Sequence, residues 1–371
     1  MTGDPARTWA VLGTGAFAQC LLRGLAHRPE RVTTVHVIGR TGQRARDVAA
    51  LATGHGTLAG TQVSFVPHDA GPAPTERLRP LLRSLRPTLL IVCASPQSPS
   101  EARTRDSDWA RLLRRAGFGA TLPLQAALVR DSVLACADAS PGTQVVNACF
   151  PDLVNPALHA EGLPVVCGLG NVATLATATC ARLGLRDESR LSLLAHHAHL
   201  SAPDDLRDEA AAWLDGAPLT ELPKVLDEVR TMPRAFLNEL GAHSAVPALH
   251  ALTDPALSYT GHLPAPHGLP GGYPVRIDGS VLSLRLPPGM SRAEAVAFHR
   301  EREHLDGVRL GEDGLLRLTP GTHAALRAYG ADLPAVFRPA DLPDLSRELL
   351  ELRDRLRQTC SSSPPDQKEG P

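Results

Sequence analysis

Three histidines fall within four residues in the stretch LLAHHAHLSAP: His196, His197 and His199. Imidazole changes protonation near neutral pH, so such a group can give or take the proton that moves when a hydride joins or leaves a carbon bearing oxygen or nitrogen. Alternation along a strand would put His197 and His199 on one face and His196 on the other. An H-x-H pair on a strand also suits a metal site, since it directs two imidazoles to one side. One strand supplies only two such ligands, and Asp204 and Asp205 lie beyond it in an expected loop. Acid-base chemistry therefore ranks above metal binding, and no metal is expected. A lone histidine would read as structural, whereas three at the end of an apolar strand favour function.

A hydride needs a carrier, and the stretch VLGTGAFAQ offers a place for one. The apolar, β-prone run before it and the helically spaced Phe17, Leu21, Leu22 and Leu25 after it predict strand, turn and helix. Gly13 permits the tight turn, Gly15 lets a pyrophosphate approach the backbone, and Ala18 lets the helix pack close to its strand. The N–H groups at the helix start, over Thr14, Gly15, Ala16 and Phe17, then face the phosphates. An ordinary glycine-rich βα turn would look the same in isolation. The next β-rich run, Val32 to Ile38, ends in Gly39-Arg40-Thr41 with Arg44 close behind. An acid there would bond a ribose 2′-hydroxyl, whereas arginine accommodates a 2′-phosphate, so the expected cofactor is NADP(H).

The elements that must position these groups follow in alternation. A third strand is expected near QVSFV, a helix near TERLRPLLRSL and a fourth strand at TLLIVCAS, whose Ala94 and Ser95 join the cofactor-binding set. The loop SPQSPSEARTRDSD is long enough to serve as a mobile cover over a ligand. A long helix, LPLQAALVRDSVLACADA, leads into a fifth strand, TQVVNA. This order predicts an α/β chain with an N-terminal doubly wound parallel sheet over residues 1–148. Residues 149–345 read as an α+β catalytic domain. It includes a small-residue helix NVATLATATCARLG, a strand RLSLLAHHAHL, and polar helices around DDLRDEAAAWLDG and ELPKVLDEVRTMPRAFLNEL. A hairpin turns at Asp278-Gly279, with His267 and Tyr273 before it as minor pocket candidates. A C-terminal helix over 346–359 and a disordered tail over 360–371 complete the expectation.

Composition narrows the partners to small molecules. A formal net charge of -1 gives no general attraction to nucleic acid or anionic membrane. No apolar run reaches the ~20 residues of a membrane span, and the first apolar stretch reads as a strand rather than a signal peptide, so the cytoplasm is the expected location. Seven cysteines without C-x-x-C spacing read as reduced, buried small hydrophobes.

Three motifs, VVNACFPD, VVCGLGNVATLATATCARLGL and LLAHHAHLSAP, resemble in order and spacing landmarks of the lactate and malate dehydrogenase superfamily. The resemblance implies that Asn147 stands by the nicotinamide and substrate, although Ala148 replaces the usual proline. It makes His197 the closest match to the proton-carrying histidine, with His196 and His199 as competitors. Thr174 and Thr177 stand about where the family has its histidine-orienting aspartate and its carboxylate-clamping arginine. The family's mobile-loop arginine has no clear equivalent, though Arg103 or Arg105 is within reach on the loop after strand four. These departures argue for a larger or neutral substrate, as in specialised biosynthesis, and against a simple lactate or malate dehydrogenase. The resulting expectation is an NADP(H)-dependent oxidoreductase acting on C=O or C=N, as a possible homodimer or homotetramer. Three rivals stand beside it: an opine- or saccharopine-type imine reductase, a metal-assisted NAD-dependent glycosidase needing Cys149 or Cys167 near His197, and a catalytically silent NADPH-binding subunit.

Overall fold

The computed structural model describes residues 7–71 and 74–359, so the expected tail over 360–371 lies outside the described residues. Six strands form one parallel sheet in the order β3-β2-β1-β4-β5-β6. They are β1 (Arg7–Leu12), β2 (Val32–Gly39), β3 (Ser64–Asp69), β4 (Leu89–Val92), β5 (Gln144–Asn147) and β6 (Cys167–Gly168). The connecting helices are α1 (Ala16–His27), α2 (Gly42–Ala59), α3 (Pro74–Leu85), α4 (Glu101–Thr104), α5 (Asp108–Ala116), α6 (Leu122–Ala139) and α7 (Pro151–Ala160). Side chains alternate across each strand, so Trp9 and Val11 enter one core with Leu21 and Leu25, while Ala10 and Leu12 enter the other with Leu82 and Val129. Both faces are covered, which accounts for the nearly unbroken apolar β1 and β4.

Beyond the sheet, α8 (Val172–Arg182) leads to an antiparallel sheet of β7 (Leu191–Leu194), β8 (Ala211–Leu214) and β9 (Ala217–Pro218). Helices α9 (Leu222–Arg230) and α10 (Arg234–Thr253) follow, then a second antiparallel sheet of β10 (Tyr259–Pro264), β11 (Gly272–Asp278) and β12 (Val281–Leu284). A bridge between Ala195 and Gly272 joins the two sheets. Helix α10 returns to the parallel sheet, where Ala245 and Leu249 share the core of Trp9 and Val11. After α11 (Arg292–Arg302), the strands β13 (Val308–Leu310), β14 (Leu316–Leu318) and β15 (Val336–Phe337), with α12 (Pro320–Ala328) and α13 (Leu342–Leu356), also return to it. Val308, Leu326, Leu342 and Leu349 pack in the core of Val129 and Leu113. The segment from β13 to α13 therefore closes on the first domain, and α13 begins four residues ahead of the expected start at 346.

Three expectations need correction. DDLRDEAAAWLDG is not a helix: Ala211–Leu214 pairs with β7, and a 3-10 turn precedes it. The strand at the histidines stops at Leu194, and His197–Leu200 forms a 3-10 turn, so period-two alternation does not apply to them. The segment after β4 is not a free cover: Trp109 Nε1 donates to Gln97 Oε1 at 3.0 Å, and Arg357 from the chain's end pairs with the buried Glu101. Among the described residues no helix is long and apolar enough to cross a membrane.

Candidate active site

The sheet order reverses direction between β1 and β4, which is where a doubly wound fold opens a crevice at the carboxyl ends of its strands. Gly13 follows β1 there with φ +132°, and a Cβ on it would stand 2.7 Å from the Cys93 carbonyl oxygen. Only glycine lets the turn lie this close to the end of β4. Gly15 differs: it caps α1 with φ -74°, and a Cβ built on it would meet nothing within 4 Å. Gly15 and Ala16 are exposed, while Thr14 and Phe17 are half-buried. This open cradle over the first N–H groups of a helix fits a pyrophosphate. Ala94 is half-buried at the end of β4, whereas the Ser95 hydroxyl turns inward to the carbonyls of Gln97 and Leu124. At the end of β2, Arg40, Thr41 and Arg44 are exposed, and the Thr41 hydroxyl caps α2 by accepting from the Arg44 N–H.

The histidines assemble around a residue from much later in the chain. His197 Nδ1 stands 2.8 Å from Asp306 Oδ1, and His196 Nδ1 stands 2.6 Å from Asp306 Oδ2. Asp306 ends a 3-10 turn over Glu303–Asp306 and is buried. The His197 ring packs on Phe118, with centroids 4.6 Å apart and planes 26° from parallel, and on Phe150, 5.0 Å away edge-on, the two phenyl rings themselves meeting at 4.9 Å so that the three rings form a triangle. Phe150 has φ +46° just ahead of α7, a strained entry of the kind held at functional sites. With Nδ1 committed to Asp306, Nε2 has no protein partner among the described residues and is left to the cavity that the ring lines.

Charge is concentrated behind that ring. Burial opposes a charged His196, but Asp306, Asp152 and Glu303 outweigh it and raise its pKa to about 9. Burial would raise Asp306, yet the two imidazoles hold it well below the usual carboxylate range. Burial raises Asp152, whose carboxylate accepts from the Asn171 amide, and pushes Glu303 up to about 7.

The cavity in front of His197 encloses about 300 Å³. Arg103 enters it from α4 and Arg234 from the start of α10, with Asp204 among the other lining residues. Neither arginine has a carboxylate partner among the described residues. Arg234 is half-buried, and burial together with Arg103 lowers its pKa to about 10. The cavity thus brings two arginines without a direct carboxylate partner beside an imidazole, with Asp204 also on its lining, a setting for an anion.

Several expected site residues are placed otherwise. His199 is buried, with Nδ1 accepting from the His196 N–H and Nε2 donating to the Asp208 carbonyl, and burial lowers its pKa to about 4. It closes a turn and is no proton carrier. Asn147 is also fully buried: Oδ1 accepts from the Cys149 N–H and Nδ2 donates to Cys149 O and to Asn155 Oδ1. No amide hydrogen remains for a substrate. Thr174 packs on Gly241 and Thr177 bonds Glu188, and neither lines the cavity. Helix α8 carries no charge to the cavity, as expected; Arg103 from the segment after β4 lines it, together with Arg234 from a different helix. His267 bonds the Leu282 carbonyl, and Tyr273 is buried against His299. Cys149 bonds the Ala94 carbonyl, Cys167 lies in the core, and among the described residues no three of His, Cys, Asp and Glu are grouped to hold a metal ion. Asp306, Phe118, Arg234 and Asp152 were not foreseen. Of these Asp152 and Arg234 stood in quoted stretches without being singled out, and nothing local marks Asp306.

No family model matches the chain, and no curated protein matches it. Solved structures do. The chain is similar to malate dehydrogenase from Cryptosporidium parvum, at 14% identity over 81% of this chain and 96% of that one, with a TM-score of 0.52. Malate dehydrogenase from Picrophilus torridus matches at 13% identity over 81% and 95%, with a TM-score of 0.55. Lactate dehydrogenase from Cryptosporidium parvum, solved with lactic acid and nicotinamide adenine dinucleotide, matches at 15% over 82% and 98%, with a TM-score of 0.53. The chain has the fold of the lactate and malate dehydrogenases, a doubly wound parallel sheet followed by a mixed α/β domain.

Proposed function

We propose that the chain is an NADP(H)-dependent dehydrogenase or reductase that transfers a hydride to or from a C=O carbon of a small anionic substrate, with His197 as proton donor and acceptor. The observation that carries this reading is the His197–Asp306 pair opening on the same cavity as Arg103 and Arg234. When bound, a nicotinamide supplies or accepts the hydride, and the lactate dehydrogenase neighbour holds one beside lactic acid. Gly13 and Gly15 shape the turn for its pyrophosphate, and Arg40 with Arg44 offers charge to a 2′-phosphate. His197 Nε2 moves a proton at the substrate heteroatom, while Asp306 fixes the tautomer and stabilises the imidazolium that forms. Phe118 and Phe150 hold the ring in place and limit water around it. Arg103 and Arg234 grip the carboxylate.

A second reading has its own support. Asp204 lines the same cavity as the two arginines, so a substrate carrying both an anion and an amine also fits, which favours C=N chemistry.

Fluorescence titration with NADPH and NADH of the unmodified chain and Arg40→Glu tests the cofactor half. NADPH should bind more tightly, and the variant should lose that preference. His197→Gln then tests the chemistry on a panel of 2-oxo acids and imines. It should bind NADPH normally and lose turnover. Failure of either nucleotide to bind overturns the enzymatic reading, and NADPH binding without turnover on any carbonyl or imine leaves the silent binding subunit in its place.

A further inference from the structure

Acid-base chemistry needs one imidazole, yet the Asp306 carboxylate serves two, one oxygen each. We infer that His196 is a positioning residue, a buried counter-ion that anchors Asp306 and divides its charge, so that the carboxylate orients His197 without locking it in its protonated form. This inference rests on the reading of His197 as proton carrier.

The arrangement is built from three directions. Glu303 and Asp306 stand three residues apart on one 3-10 turn, where side chains eclipse, so both carboxylates are presented on one side. His196 is 1% exposed and does not line the cavity. Its peptide is fixed in turn by His199, since the His196 N–H donates to His199 Nδ1 at 2.6 Å and the opposite ring nitrogen donates to the Asp208 carbonyl at 2.7 Å. A nitrogen that accepts carries no proton, so His199 is neutral and adds no charge. His299 on α11 packs 6.4 Å from the His196 ring, and burial holds it neutral as well. Tyr273 on β11 stands behind His299, and its burial keeps the phenol protonated. The charged groups facing His196 are thus the acids Asp306 and Glu303 on the turn and Asp152 on α7.

Those acids explain why a cation is needed. A buried carboxylate with a single imidazole partner favours the imidazolium strongly, because the opposite charge within hydrogen-bond reach is poorly screened. A group so held gives a proton reluctantly. A second imidazolium 2.6 Å from the other oxygen offsets that pull through its charge, while its place off the cavity keeps it out of the chemistry.

Histidine-labelled full-length chain, free of nucleotide and substrate, tests this by NMR of the imidazole rings across pH, with assignments from His196→Gln and His197→Gln. His196 should stay protonated through neutral pH and release its proton only at about 9. In folded H196Q, the pH at which His197 takes up its proton should rise by about one unit. Against a D306N background the H196Q substitution should no longer move His197, since the effect runs through Asp306. A neutral His196 at pH 7 in the unmodified chain overturns the inference, as does an unmoved His197 in folded H196Q. Should H196Q not fold, D306N decides: it should bring the release of His196 far below that of the unmodified chain, and no change there refutes the counter-ion pairing. Because no nucleotide or substrate takes part, these outcomes are independent of whether the dehydrogenase reading fails.

Discussion

Two glycines of one turn should respond to the same substitution in opposite ways. Gly13 has φ +132°, and a methyl on it would stand 2.7 Å from Cys93 O and 2.8 Å from Cys93 C, both backbone atoms that cannot swing aside. Backbone strain of about 1–3 kcal/mol and overpacking of about 1–3 kcal/mol make Gly13→Ala about 3 kcal/mol destabilising. At about 2–3 °C per kcal/mol for a chain of this size, the melting temperature falls by roughly 6–9 °C. Gly15 has φ -74° and open space where its Cβ would be, so Gly15→Ala should change stability by less than about 1 kcal/mol. That open space is where a pyrophosphate would approach, and the methyl would fill it. We expect G15A to melt within ~2 °C of the unmodified chain while its NADPH dissociation constant rises at least about tenfold, a loss of ~1.4 kcal/mol. Calorimetry and fluorescence titration of both variants separate the effects. If G15A binds NADPH as well as the unmodified chain, the pyrophosphate does not lie on this turn and the cofactor assignment fails. If G15A melts as low as G13A, the account of the turn itself is wrong.

Three further outcomes follow from the same geometry. Arg234→Ala removes one of two cations lining the cavity, which for a charge-assisted contact costs about 1.5–3 kcal/mol, so kcat/KM on a 2-oxo acid should fall by ~10–150-fold; equal losses on a neutral ketone would refute the anion assignment. Arg357→Ala strips the cation from Glu101, a carboxylate 3% exposed that keeps only the Gln97 amide as a hydrogen-bond donor among the described residues, and should destabilise the chain by about 3 kcal/mol and speed proteolysis between residues 98 and 106; denaturant midpoints equal to those of Arg347→Ala, a surface change, would contradict this. His36, buried against His68, is held neutral down to about pH 4 by burial and then by its neighbour, whereas an unfolded histidine takes up its proton near 6.5. The unfolded state therefore binds protons first as pH falls, and up to about 3 kcal/mol of stability is lost between pH ~6.5 and ~4. His36→Val should flatten that part of the urea-midpoint profile, and an unchanged profile would refute it.

What the sequence made legible was whatever a local pattern decides. The long helix at Leu122–Ala139 falls on its expected residues because its start after Thr121 and its stop at Ser140-Pro141 are written within a few positions. Strand β1 and its glycine turn are equally local. The histidines mark the boundary of that legibility. Alternation assigned His197 and His199 to one face on the premise of a continuing strand, but pairing with β8 runs out at Leu194 and the His199 ring folds back to accept from the His196 N–H, which makes a turn. Once the turn forms, neighbours in sequence become partners: His196 and His197 share one carboxylate, and His199 leaves the group. The carboxylate lies 109 residues on, in EHLDG, where no spacing rule connects it to an imidazole. It arrives only because the apolar residues of β13, α12 and α13 are buried against the parallel sheet, which carries the preceding turn to the histidines. The same holds for the arginines. A search along α8 finds Thr174 and Thr177 and no charge, yet a cavity is indifferent to which helix a guanidinium comes from, and α10, packed on α8 at Gly241, places Arg234 on its lining. In this fold the turn that would hold the cofactor is a property of consecutive residues, and the chemistry in front of it is a property of packing.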